Sequence, residues 1–91
     1  MQNKIRKKFH FTGSVQGVGF RYRARHAATG CGVTGWVKNE WDGSVLMEAQ
    51  GTNDQINEML KLINRSSYIV IDRMQYEEIP IEEHENGFHI R

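Results

Sequence analysis

The sequence contains one cysteine, one proline and no acidic residue before Glu40. A lone Cys31 cannot form an internal disulfide, and without a cysteine or histidine at ligand spacing it predicts no metal or redox site. We expect it to be a passive, partly buried side chain. No apolar run approaches the roughly 20 residues that a membrane helix needs. The charged opening MQNKIRKKFHF lacks the apolar centre of a secretion signal, so we expect a cytoplasmic protein.

The charges are distributed unevenly along the chain. Residues 1–39 contain eight lysines and arginines and no acid, whereas residues 40–91 contain four basic and eleven acidic residues. The net charge of +1 therefore hides a basic first part and an acidic second part. Overall charge predicts no general affinity for polyanions, but the basic part should attract a small anion. The alternative is that most of these charges pair with one another across the fold.

Hydrophobic periodicity and turn residues predict one domain over residues 1–91, without repeats or linkers. Thr52 and Gln55 have the spacing of a capping box. The predicted elements are a strand at 5–14, a helix at 20–29 ended by Gly30, strands at 33–39 and 44–50, a helix at 52–64, a strand at 67–77 and a short strand at 88–90. This order, β-α-β-β-α-β plus a terminal strand, predicts a ferredoxin-like (split βαβ) α+β sandwich of one antiparallel sheet and two helices. That fold hosts many functions and fixes none of them.

The segment GSVQGVGFRYR, residues 13–23, lies between the first strand and the first helix. Its three glycines relax the backbone, so that successive N–H groups can turn inward around an anion at a helix N-terminus. Arg21 adds a planar fork of donors and a permanent charge. The segment lacks the GK[ST] ending of a Walker A loop and does not align with GxGxxG. It is either a phosphate-binding loop or an ordinary strand-to-helix turn.

The segment GWVKNEWDG, residues 35–43, contains a second candidate. Period-two alternation places Asn39 on the same strand face as Val33, Gly35 and Val37, at the end of an apolar row. Asn39 is therefore either a polar group presented at the end of a strand or a simple turn former. Asp42-Gly43 is a strong hairpin signal after this strand.

Together the two segments resemble the acylphosphatase family, whose signature reads GxVQGVxFR followed by GWVxNxxxGxV. The resemblance implies metal-independent and cofactor-free hydrolysis of the carboxyl–phosphate anhydride of a small acyl phosphate, with inorganic phosphate as a product. It also implies that Arg21 and the backbone of a seven-residue segment hold the phosphoryl group, while Asn39 positions the attacking water. The implied phosphate-binding residues are Val15, Gln16, Gly17, Val18, Gly19, Phe20 and Arg21. Glu40 stands where a small hydroxyl residue often follows the asparagine.

Two other functions remain open from the sequence. A non-catalytic anion- or RNA-binding module of the same fold would use the basic first part, but GVGFRYR falls in a loop, whereas an RNP1 segment lies within a strand. An acyl-phosphate-binding domain detached from a larger modification enzyme would also carry VQGVGFR, although no cysteine or zinc motif accompanies it. We expect a stand-alone monomeric hydrolase with no nucleic-acid or membrane partner. The acid-rich stretch from Glu77 to Glu85 is expected to be a solvated edge around Pro80.

Overall fold

The computed structural model describes residues 3–91, which form seven elements in the predicted order. They are β1 (Ile5–Ser14), α1 (Phe20–Cys31), β2 (Thr34–Asn39), β3 (Val45–Gly51), α2 (Asn53–Asn64), β4 (Val70–Ile79) and β5 (Phe88–Ile90). The sheet has the order β4-β1-β3-β2-β5, with both helices packed against the sheet. The predicted ferredoxin-like sandwich is confirmed.

The sheet is mixed, because β5 runs parallel to β2 while the four longer strands pair in antiparallel fashion. The sequence predicted an antiparallel sheet and left this direction unassigned. The register explains the difference. Ile79, near the end of β4, lies opposite Arg6, and β2 begins at this same end of the sheet. The connection at 80–87 stays at that end, so the chain enters β5 in the direction of β2.

Helix α1 continues two residues beyond the predicted end. Gly32, and not Gly30, takes the left-handed conformation, with φ of 75°. Its N–H donates to the carbonyl of Thr29 (3.4 Å), and the N–H of Val33 donates to that of Ala28 (2.9 Å). These bonds satisfy carbonyls in the last turn, which is the physical reason the helix stops there. The buried face is the one predicted and consists of Phe20, Ala24, Ala27 and Ala28.

Helix α2 begins with the predicted capping box. The Gln55 N–H donates to the Thr52 hydroxyl (3.2 Å), and the Thr52 N–H donates to the side-chain oxygen of Gln55 (2.8 Å). Its buried face contains Ile56, Met59 and Ile63. The core therefore lies between the helices and one face of the sheet, where the Phe11 and Phe20 rings approach to 5.0 Å between centroids.

On the opposite face of the sheet, the connection at 80–87 covers a buried cation. Arg6 is 1% exposed, and its guanidinium donates to Glu48 (2.9 Å), Glu85 (2.8 Å) and the side-chain oxygen of Gln50 (3.1 Å). The prediction of a solvated acidic edge is wrong for Glu85, which is half-buried because it neutralises Arg6. The other acids of that stretch are exposed as predicted, and they are Glu77, Glu78, Glu82 and Glu83.

Candidate active site

The two segments singled out in the sequence lie at the same end of the sheet. Both β1 and β2 are antiparallel to β3, so they run in the same direction and their carboxyl ends coincide. β1 leads into the loop at 15–19 and then into α1, whereas β2 ends at Asn39 and leads into the hairpin turn at 40–44. Strand direction therefore brings together a glycine loop and an asparagine that are separated by about twenty residues in the sequence.

The backbone of the glycine loop alternates in conformation. Gly17 and Gly19 have φ of 72° and 81°, and His84 is the only non-glycine residue with positive φ in the described chain. The residues between and beside these glycines thus have negative φ, and this alternation turns successive N–H groups toward one concave side. The first helical bond runs from the Arg23 N–H to the Gly19 carbonyl (3.0 Å). The N–H groups that precede Arg23 therefore take no part in the helical hydrogen bonds and are available to bind an anion.

Apolar side chains anchor this loop from below. Val15 is fully buried, Phe20 is 2% exposed, and the half-buried Val18 packs against the same core. These contacts fix the loop before any ligand arrives, so its amides need little reorganisation on binding. Gln16, Gly17 and Gly19 complete the loop at its more accessible side.

Arg21 is the second residue of α1 and is half-buried. Within residues 3–91 its guanidinium has no recorded ion pair or hydrogen bond. The next two arginines of the helix are occupied: Arg23 donates to the Leu62 carbonyl (2.8 Å), and Arg25 lies 5.4 Å from the ring centroid of Tyr22. Arg21 is thus the cation of the first turn whose donors are free for a ligand.

Asn39 ends β2 with its side-chain oxygen buried and without a hydrogen-bond partner in the described residues. Buried polar atoms are almost always paired, so the unpaired Asn39 oxygen is available to accept a hydrogen bond from a ligand or a water. The neighbouring Glu40 side chain lies 3.9 Å from the amine of Lys38. Glu40 makes no recorded contact with the Asn39 side chain, so the described structure gives Asn39 no support from this residue.

The side chain of Gln16 joins the two parts of the site. Its amide nitrogen donates to the carbonyls of Glu40 (2.7 Å) and Ser44 (2.8 Å), on either side of the hairpin turn. Sequence reasoning considered only the backbone of Gln16 and missed this role. The available signal was a long polar side chain placed directly after the buried Val15.

The turn itself is organised by Asp42. Its carboxylate accepts hydrogen bonds from the Ser44 hydroxyl (2.6 Å) and the Ser44 N–H (3.0 Å), and these bonds hold the pKa of Asp42 below its usual value. The Glu40 N–H also donates to the Ser44 carbonyl (2.9 Å). The turn is therefore a defined platform next to Asn39.

The described chain offers no obvious alternative centre. Cys31 is half-buried, and burial followed by the charge of Glu58 raises the pKa of its thiol, so it is a poor nucleophile at neutral pH. Residues 3–91 contain no group of three or more His, Cys, Asp or Glu side chains able to hold a metal ion. In the same range no helix is long and apolar enough to cross a membrane. The fold and the site together define a small ferredoxin-like protein with a glycine loop and an unpaired asparagine at one end of its sheet.

Comparison with known proteins identifies the family. The family model described as acylphosphatase matches residues 7–90, which is nearly the whole chain. The chain therefore belongs to the acylphosphatase family, as its two motifs predict.

Individual relatives agree with this assignment. The acylphosphatase of Oceanobacillus iheyensis is 48% identical over a stretch that covers 64% of each chain, and thus less than two thirds of that relative's length. The acylphosphatase of Geobacillus thermodenitrificans is 42% identical over 86% of this chain and 84% of its own. The crystal structure of acylphosphatase from Bacillus subtilis is similar with a TM-score of 0.87 and 30% identity, covering 96% of this chain and 98% of that one.

Proposed function

We propose that this protein hydrolyses acyl phosphates to a carboxylate and inorganic phosphate, without a metal ion or another cofactor. The N–H groups of residues 15–20 and the guanidinium of Arg21 hold the phosphoryl group, and Asn39 positions the attacking water. One observation carries the proposal: Arg21, whose donors are free, and the buried, unpaired oxygen of Asn39 lie at the same end of the sheet. Membership of the acylphosphatase family supports the same reaction.

Hydrolysis of an acyl phosphate requires little more from the protein than binding the phosphoryl group and aligning the attacking water. The carboxylate of an acyl phosphate is a good leaving group, and phosphoryl transfer proceeds mainly through a loose transition state that needs positioning and charge stabilisation. The N–H groups of the loop and the guanidinium of Arg21 supply positive charge around the equatorial oxygens of the phosphoryl group. The phosphate oxygens of the substrate accept the proton of the attacking water, so no side chain that titrates near neutrality is required.

The geometry favours this reaction over RNA binding. An RNA recognition module stacks bases on aromatic side chains of its central strands, on the open face of the sheet. Here Phe9 and Phe11 of the central β1 are buried on the helix-covered face, with 1% and 0% exposure. Trp36, on the other face, is 8% exposed and lies against the Arg91 guanidinium at 4.6 Å. Among the described residues, the open face therefore has no exposed Phe, Tyr or Trp ring on these strands.

The test is steady-state hydrolysis of benzoyl phosphate in excess chelator, comparing the wild type with Arg21→Ala and Asn39→Ala. Removing one preorganised donor costs about 10² to 10³ in rate, so each variant should lose at least about that factor. Arg25→Ala is the matched control, because Arg25 is one turn further along α1 and contacts Tyr22. It should retain wild-type turnover.

Circular dichroism would establish that all variants are folded. Near wild-type turnover by folded Arg21→Ala or Asn39→Ala would refute the assigned roles. Inactivity of the folded wild type, together with a salt-dependent affinity for RNA, would instead support the binding module. Loss of wild-type turnover on chelation alone would contradict metal independence. Size-exclusion chromatography of the same samples tests the proposed monomer.

A further inference from the structure

The Gln16 side chain connects the glycine loop to the hairpin turn, and the proposed reaction assigns it no role. A primary amide has two N–H donors, and here the nitrogen is within hydrogen-bond distance of two carbonyls, those of Glu40 at 2.7 Å and Ser44 at 2.8 Å. Both acceptors belong to the hairpin turn, 24 and 28 residues further along the chain. With both donors spent on the turn, the nitrogen has none left for a phosphate.

The two parts that Gln16 joins are each held by contacts of their own. The loop is anchored by buried Val15 and Phe20 in the core. The turn is closed by its own bonds, from the Gly43 N–H to the Glu40 carbonyl (3.2 Å) and from Ser44 to the Asp42 carboxylate. What these local bonds leave undetermined is the position of the turn relative to the loop.

We infer that Gln16 is a positioning residue, which sets the placement of Asn39 relative to the anion loop. The inference rests on the proposed function, because it concerns the alignment of water and phosphoryl group. Asn39 directly precedes Glu40, so its Cα lies about 3.8 Å from that of a residue held by the bridge. In-line attack depends on this alignment, and a misplacement of about 1 Å can cost roughly 10² in rate.

This role predicts a separation between binding and turnover. The groups assigned to phosphate binding are loop N–H groups and Arg21, and none of them is removed when the Gln16 side chain changes. The orientation of Asn39, in contrast, depends on the two bonds that Gln16 donates. A side chain that served only loop stability would lower phosphate affinity and turnover together, since both require the folded loop.

The test uses Gln16→Met, which keeps the length of the side chain and removes both donors, with Gln75→Met on the exposed β4 as control. Turnover of benzoyl phosphate by Gln16→Met should fall by about 10- to 100-fold. Its inhibition constant for inorganic phosphate should stay within about threefold of the wild type. Added to Asn39→Ala, the same change should lower turnover by less than about threefold, since the residue through which it acts is gone.

Gln16→Glu provides a second readout. A protonated carboxyl has one O–H donor whereas a carboxylate has none, so turnover by Gln16→Glu relative to Gln16→Met should rise as the pH falls through the carboxyl pKa. A folded Gln16→Met with turnover within about threefold of wild type would overturn the inference. Parallel loss of phosphate affinity and turnover, or full multiplication of the Gln16→Met and Asn39→Ala effects, would also overturn it.

Failure of the proposed function has a different signature. There the wild type itself would be inactive, or Asn39→Ala would be fully active. Loss of activity in Asn39→Ala combined with an unaffected Gln16→Met refutes the positioning role alone. If Gln16→Met fails to fold, the comparison of Gln16→Glu at high and low pH decides the question, with pH-independent turnover counting against the inference.

Discussion

Replacing Arg6 by methionine tests the ionic cluster beneath the 80–87 connection. Methionine preserves much of the volume of the side chain but removes a guanidinium that is 1% exposed. The change strands two carboxylates, because Glu48 and Glu85 accept from Arg6 at 2.9 Å and 2.8 Å. The Gln50 amide loses a donor at the same time.

The magnitude follows from the burial of the partners. Removing one member of a buried ion pair costs about 3 to 5 kcal/mol, since it leaves a charge that is neither paired nor fully hydrated. The side chains of Glu48 and Glu85 retain 18% and 15% exposure, which lets water reach them in part. We therefore expect a loss near the lower limit, about 3 kcal/mol. For a domain of this size that corresponds to a fall in Tm of roughly 12 to 24 °C.

Urea denaturation followed by tryptophan fluorescence measures the loss, with Trp36 lining the same cavity as Arg6. Lys8→Met is the matched control, because Lys8 lies on the same face of β1 as Arg6 but forms no ion pair within the described chain. It should change the free energy of unfolding by less than about 1 kcal/mol.

Neutralising the partners should reverse much of the effect of Arg6→Met. Adding Glu48→Gln and Glu85→Gln removes the stranded charges, so the triple variant should be more stable than Arg6→Met alone. A loss below about 1 kcal/mol in Arg6→Met, with an unchanged dependence on urea, would refute the reasoning. So would a triple variant less stable than the single one.

Three further predictions concern stability. Burial raises the pKa of Glu85, but its hydrogen bonds and the charge of Arg6 together lower the pKa by more than burial raises it. The pKa of Glu85 therefore lies below its usual value. The stabilisation that ionised Glu85 provides is present at neutral pH and is lost as the pH falls below about 4. The unfolding free energy of the wild type should therefore fall more steeply with acid than that of Glu85→Gln; parallel curves of unfolding free energy against pH would contradict this. Gly35→Ala places a Cβ against the Glu48 carbonyl oxygen, closer than van der Waals contact allows, at φ of 144°, and should cost about 3 kcal/mol or more in urea denaturation; a neutral result would exclude the close approach. Thr52→Ala should cost about 1 kcal/mol by the same assay, with Thr52→Ser largely retaining stability as its control; equal losses in both would argue against the cap.

The position of the site explains why two short motifs suffice to recognise it. The loop follows β1 and Asn39 ends β2, and both strands end at the same edge of the sheet, so the fold brings the two segments to one place. The turn at 40–44 and the loop at 15–19 meet at that edge, and the Gln16 amide connects them. Substitution at Gln16 is thus expected to affect chemistry without touching the core.

The elements could be predicted because their signals are local. The spacing of Ile56, Met59 and Ile63 and the capping pair Thr52 and Gln55 act within one or two helical turns, and both appear in the structure as expected. The predicted end of α1 at Gly30 is wrong, since residue type alone does not separate Gly30 from Gly32. Packing at the entry to β2 selected Gly32, where the Val33 N–H reaches the Ala28 carbonyl.

The sequence by itself determined the periodicity, the capping box of α2, the glycine loop and the family motifs, because each depends on residues a few positions apart. Tertiary structure decided the contacts between distant segments. It buried Arg6 against Glu85, which is 79 residues away, and it placed the Gln16 amide on the hairpin that follows Asn39. Strand direction and register set these contacts, and both are fixed only when the whole sheet assembles over its core.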